Sequence, residues 1–165
     1  MAEGISGRTV RFFFSFLMLF GLCGLPAHAV GIFRVNAAST AIVPDGSSWD
    51  NAFKTLQQGT DAAQAAGGGE VWVQAGVYTG TGSRVLSVPD GVSLYGGFAG
   101  DETAREQREW VLHAAVIDGE DSRQCVLCYG AGAIDGFVIT GGKGGQGGGM
   151  VVSGGSAAVA NCAFV

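Results

Sequence analysis

Ala133-Ile134-Asp135-Gly136-Phe137-Val138-Ile139 returns 25 positions later as Ala158-Val159-Ala160-Asn161-Cys162-Ala163-Phe164. In both segments a small residue and a β-branched one lead into a polar break, and a second apolar run follows. Recurrence at this spacing marks units that cannot bury their apolar face alone and do so by stacking. Two looser offsets agree. Val92-Ser93-Leu94-Tyr95 lies 24 positions before Val116-Ile117-Asp118-Gly119, and Val71 lies 21 before Val92. Offsets in the low twenties suit one turn of a parallel β-helix holding two or three short strands.

The neighbouring segments carry the same pattern. Val71-Trp72-Val73, Val77-Tyr78, Val85-Leu86-Ser87-Val88, Cys125 to Tyr129, Met150-Val151-Val152 and Val159 to Val165 are short apolar runs parted by glycine or by Pro89-Asp90-Gly91. Such runs between turn residues signal an all-β chain. A two-sheet sandwich is the competing arrangement. The 30 glycines are interleaved with Val, Ile, Phe, Leu and Trp, which disordered chains lack, so they read as tight corners. One helix is expected on the N-terminal side. Ser47-Ser48 supplies a cap, Asp50 stands in the first turn, and Trp49, Ala52, Phe53, Leu56, Thr60 and Ala63 recur at helical spacing before Gly67-Gly68-Gly69. A lone helix with one apolar stripe suits the open end of a β structure.

Residues 1–29 have the anatomy of a secretory signal. Arg8 and Arg11 precede the apolar run Phe12 to Leu25, Pro26 breaks it, and Ala27-His28-Ala29 offers a cleavage site. The run is shorter than the roughly 20 residues a spanning helix needs. The expected domains are therefore a signal over 1–29, an extended segment and capping helix over 30–69, and β coils over 70–165. Without the signal, 7 basic and 13 acidic side chains remain, a formal charge of −6. An acidic chain without a basic cluster lacks the footprint of nucleic-acid binding and of docking on an anionic membrane. Membrane association is expected only through a region beyond this segment.

Cys125, Cys128 and Cys162 make an odd set for an exported chain. The Cys125-Val126-Leu127-Cys128 spacing fits half a zinc site, a disulfide partner or small buried residues. On a strand, residues three apart face opposite sides, which favours packing.

Several segments together resemble bacterial right-handed parallel β-helix surface proteins. Asp45-Gly46-Ser47-Ser48-Trp49-Asp50-Asn51-Ala52-Phe53 is similar to their opening turn. Gly69-Glu70-Val71-Trp72-Val73-Gln74-Ala75-Gly76-Val77-Tyr78 resembles their first strand, with Gly69 where the pattern has Asp. Asp90 to Gly100, with Glu102 and Arg108 to Trp110, resembles the next coil and its exposed excursion. Ile134 to Gly142 and Asn161 to Phe164 resemble later coils. The resemblance implies the pectin-lyase-like fold, shared with polymorphic outer-membrane-protein repeats: an all-β, right-handed parallel β-helix solenoid with an N-terminal capping helix. It also implies further coils, since the segment stops in an apolar strand, so a C-terminally truncated fragment is expected.

That fold hosts polysaccharide lyases, so the acids matter. Asp118, Glu120 and Asp121 cluster after one strand, and Asp135 follows a short coil later. Stacked acids suit calcium, or an acid/base pair on a sugar, with Arg123 as a lyase base. Asp118, Asp121 and Asp135 are the metal candidates, against the simpler reading of Asp-Gly turns. No catalytic residue is assigned, and calcium is the only cofactor considered. Trp72, Tyr78, Tyr95, Phe98 and Trp110 offer either a sugar-stacking surface or core. Gly141 to Gly149 lacks the Lys-Ser or Lys-Thr of a phosphate loop and reads as a surface loop. His113 stands alone on the surface.

The function expected is a non-catalytic, exported β-helix module in adhesion or structure, extracellular or on the outer-membrane surface. Its partners would be surface glycans or proteins of host or neighbouring cells. A polysaccharide lyase or glycosidase with its site in other coils is one alternative, and a carbohydrate-binding module without catalysis is another.

Overall fold

The computed structural model describes Met1 and residues 31–165. The basic and apolar parts of the expected signal, and its cleavage after Ala29, lie outside them. The described chain is mostly β. Its strands are β1 (Gly31–Val35), β2 (Gly69–Gln74), β3 (Gly76–Tyr78), β4 (Arg84–Val88), β5 (Val92–Phe98), β6 (Ala115–Tyr129), β7 (Gly132–Asp135), β8 (Phe137–Gly142), β9 (Met150–Ser153), β10 (Ala157–Ala160) and β11 (Ala163–Phe164). One helix, α1 (Leu56–Ala65), precedes β2.

Every strand pairing among the described residues is parallel. The first set of neighbours runs β1-β2-β5-β7-β10, and the second runs β3-β6-β8-β11. In a third, the C-terminal part of β6 lies between β4 and β9. We call these walls A, B and C. The chain visits A, B and C in turn through β2, β3 and β4, again through β5 and the two parts of β6, and again through β7, β8 and β9. Antiparallel hairpins, and with them a sandwich built of such hairpins, are not what the described residues form.

Stacked rows of side chains make the core. Val71, Leu94 and Ile134 occupy successive register positions on wall A and are buried. Tyr78, Ile117 and Ile139 do so on wall B, and Leu86 and Val126 on wall C. Each fully buried aliphatic side chain contributes about 1.5–3 kcal/mol by leaving water. Corners are tight: Ala75 alone separates β2 from β3, and Gly136 alone separates β7 from β8. At Gly136 φ is +83°, and an added Cβ would stand 2.8 Å from the Gly96 carbonyl oxygen. Only glycine suits that corner.

Of the three expected offsets, one matches the register. Ala133 faces Ala158, Ile134 faces Val159, and Ile139 faces Phe164, as the 25-residue repeat requires. Val71 faces Leu94, not Val92, so that register differs by two. Alternating apolar residues look alike after a two-residue slide, which keeps every side chain on its face. Val92 and Val116 are not partners: Val92 faces Gly69 on wall A, whereas Val116 lies on wall B between Val77 and Val138. The long excursion over 99–114 separates them.

The helix starts later than its stripe suggests. Asp45 holds Ser47 by its backbone N–H (2.9 Å) and hydroxyl (2.7 Å), which also keeps its carboxyl below the ordinary range. Phe53 donates to Arg34 and accepts from Asn36, so this extended backbone serves β1 and cannot be helical. Thr55 is the cap, in a reciprocal box with Gln58. Leu56, Thr60 and Ala63 are buried as expected, and Gly59 lies among them. The Gln57 amide also meets the Ser87 backbone, accepting its N–H at 2.9 Å, and so occupies the outer edge of β4.

Candidate binding cleft

The outer row of wall A stacks Arg34, Trp72, Tyr95 and Asp135 in register. Such a row should face solvent. Here the segment 99–114 leaves the wall after β5, folds back across this face, and rejoins at β6. Phe98 turns onto Trp72 with ring centroids 4.8 Å apart and planes within 10°. Trp72 is thereby buried, and its indole N–H donates to Glu70 at 2.8 Å.

Glu102 shapes the first turn of this strap. Its carboxylate accepts the backbone N–H groups of Ala99 (2.6 Å), Gly100 (2.9 Å) and Asp101 (3.1 Å). Burial alone would raise its pKa, but these donors outweigh burial and hold it below the usual glutamate value. The Glu102 carbonyl accepts the Trp49 indole N–H at 3.0 Å, tying the strap to the N-terminal turn.

Two arginines tie down the remainder. Arg105, in a short 3-10 turn (Arg105–Gln107), pairs with Glu70 at 2.7 Å. Arg108 pairs with Asp135 at 2.7 Å and also donates to the Gly96 and Asp135 carbonyls. Their guanidiniums lie 4.6 Å and 5.2 Å from the Tyr95 ring centre, and Arg108 is 5.1 Å from that of Trp110. Gly97, at φ +101°, admits the strap, because a Cβ there would come within 2.5 Å of the Trp110 Cα. Between strap and wall lies an open cleft of about 480 Å³ lined by Tyr95, Arg105, Glu106, Arg108, Trp110 and Asp135.

The aromatic residues expected as core or stacking surface divide accordingly. Trp72, Tyr78 and Phe98 are buried, whereas Tyr95 and Trp110 line the cleft. The metal candidates are spread apart in role. Asp135 is engaged by Arg108 and by the Asn161 amide at 2.8 Å. Asp118 accepts the Glu120 backbone N–H at 2.8 Å, the turn use expected of it. Asp121 is exposed, in the left-handed conformation (φ 51°). Arg123 pairs with Glu120 at 2.6 Å. Among the described residues no three His, Cys, Asp or Glu side chains converge as a metal site.

The cysteines correct the parity argument. Cys125 and Cys128 are free thiols, both in the buried core cluster. Cys125 stands at the corner where β6 enters wall C, and its thiol donates to the Thr140 carbonyl, so strand alternation does not govern it. Burial pushes the Cys128 thiol up to about 11. Sequence reasoning does not foresee that Arg105 lines this cleft, that Glu70 pairs with it or that Asn161 holds Asp135, and it gives Arg108 no chemical role. The three-residue spacing of the two arginines, followed by Trp110, is the signal that the sequence does carry. Compared with known proteins, the chain matches no family model, no curated protein and no solved structure.

Proposed function

We propose that this chain is an exported, non-catalytic module whose three walls wind a right-handed parallel β-helix, and that it serves adhesion or structure at a cell surface. The supporting observation is the repeated A, B, C order of parallel strands, with one excursion folded over wall A. Parallel crossovers in one sheet are right-handed in about 98% of cases, which supports the hand. Stacked strands form a stiff support, and a loop on a rigid support is where binding residues sit. Arg105 and Arg108 are engaged by Glu70 and Asp135, an arrangement that orders a surface more readily than it supplies a general acid or base. The partners are surface glycans or proteins of host or neighbouring cells.

Beads coated with the full chain should adhere to surfaces bearing cell-wall glycans or surface glycoproteins. The same protein, incubated with polygalacturonate and related glycans with and without calcium, should release no unsaturated sugars. Release of such products would replace this reading with a polysaccharide lyase of the same fold.

A further inference from the structure

We infer that the cleft under the strap binds a neutral glycan, with the Trp110 indole as the platform for one pyranose ring. This rests on the adhesion reading and names the ligand class of that same site.

Charge decides the class. Four ionised groups line the cleft, Arg105, Arg108, Glu106 and Asp135, and Glu70 pairs with Arg105 from outside that lining. Each guanidinium is already paired with a carboxylate at 2.7 Å, so an incoming anion meets no unpaired positive charge. Glu106, with a side chain 76% exposed, adds an exposed negative charge to the lining. A polyuronate is therefore disfavoured. A neutral ligand meets no such opposition.

Stereochemistry points the same way. A pyranose has one apolar C–H face and a rim of hydroxyls that both donate and accept. Trp110 is 38% exposed, in contrast to the buried Trp72, with the Arg108 guanidinium 5.1 Å from its ring centre. Tyr95 lines the same cleft, and its hydroxyl can both donate and accept. Arg105 and Glu106 add a donor and an acceptor at the rim. A volume of about 480 Å³ lies within the roughly 300–1,000 Å³ of small-molecule sites, and it suits a short stretch of glycan. Since Arg108 and Asp135 are fixed by the wall, these groups need little reorganisation on binding.

The test uses the full chain with cellotriose, maltotriose and mannotriose as neutral probes and trigalacturonate as the acidic counterpart. Binding is read by tryptophan fluorescence and by ligand-observed NMR. At least one neutral trisaccharide should bind, more tightly than trigalacturonate at low ionic strength. Trp110→Ala should weaken it about tenfold, the scale of one aromatic contact, and Trp110→Phe should restore part of the loss. Glu106→Gln, on an exposed side chain that leaves the fold undisturbed, should narrow the gap between neutral and acidic probes. Tighter binding of trigalacturonate, or Trp110→Ala binding like the parent while circular dichroism is unchanged, would overturn the inference. Bead adhesion without binding of any neutral trisaccharide sinks the glycan assignment and leaves the adhesion reading standing. Trisaccharide binding without bead adhesion does the reverse.

Discussion

The corner between walls A and B is crossed in two very different ways. Between β7 and β8 the chain uses Gly136 alone, while between β5 and β6 it uses residues 99–114. The flanking strands do not register the difference. Tyr95 still faces Asp135, and Val116 still faces Val138. Walls are held by rows of buried side chains and ladder hydrogen bonds, so a corner can be lengthened without moving them. Closing a longer loop costs little, since the entropy grows only with the logarithm of its length. The short corner therefore carries stability, and the long one brings Arg105, Arg108 and Trp110 to the cleft.

Breaking the short corner should have the largest effects. Ile134→Ala, in the buried row beside it, should cost about 2–5 kcal/mol in urea unfolding. Gly136→Ala should cost at least about 2 kcal/mol, because φ is +83° there and the new Cβ would crowd the Gly96 oxygen. A change below about 0.5 kcal/mol at Gly136, the scale of an ordinary surface substitution, would mean that the corner is not a tight one.

The strap should answer differently. Glu102→Ala strands three backbone donors and should cost about 1–3 kcal/mol, confined to the strap. Hydrogen exchange should speed at Ala99, Gly100 and Asp101 while the amides of β7 and β8 stay protected. The pH dependence has a definite sign. Because the folded Glu102 is held below its unfolded value, its contribution is fully present above the unfolded glutamate pKa of about 4.3. It is lost as pH falls through the lower folded value. Exchange at those three amides should therefore rise on acidification before the walls open. Equal sensitivity of strap and walls would refute their separation.

The smallest effect belongs to the strap tip. Val111 is 87% exposed, and Val111→Ser should shift stability by no more than about 0.5 kcal/mol. A larger loss would show that the tip is covered in the folded chain.

The walls are legible in the sequence because their signal is local. Glycine at a corner and alternate apolar residues along a strand are visible residue by residue, and the 25-residue repeat carries the register of β7 with β10. Register elsewhere is less legible. The Val71 and Val92 segments each offer two equivalent alignments, and only the neighbouring strand chooses between them. The start of α1 is hidden for a similar reason. Ala52 and Phe53 keep the helical stripe, yet β1 claims the Phe53 backbone.

The cleft lies further beyond reach. Glu70 and Arg105 are 35 residues apart, and Arg108 and Asp135 are 27 apart. Neither pair has a periodicity that could announce it. Strand character, corners and the apolar rows follow from side-chain size and alternation, which each short stretch carries within itself. Which arginine meets which carboxylate, and which tryptophan stays in water, depends on a strap folding across a wall assembled from distant strands, and that meeting exists only in the assembled fold.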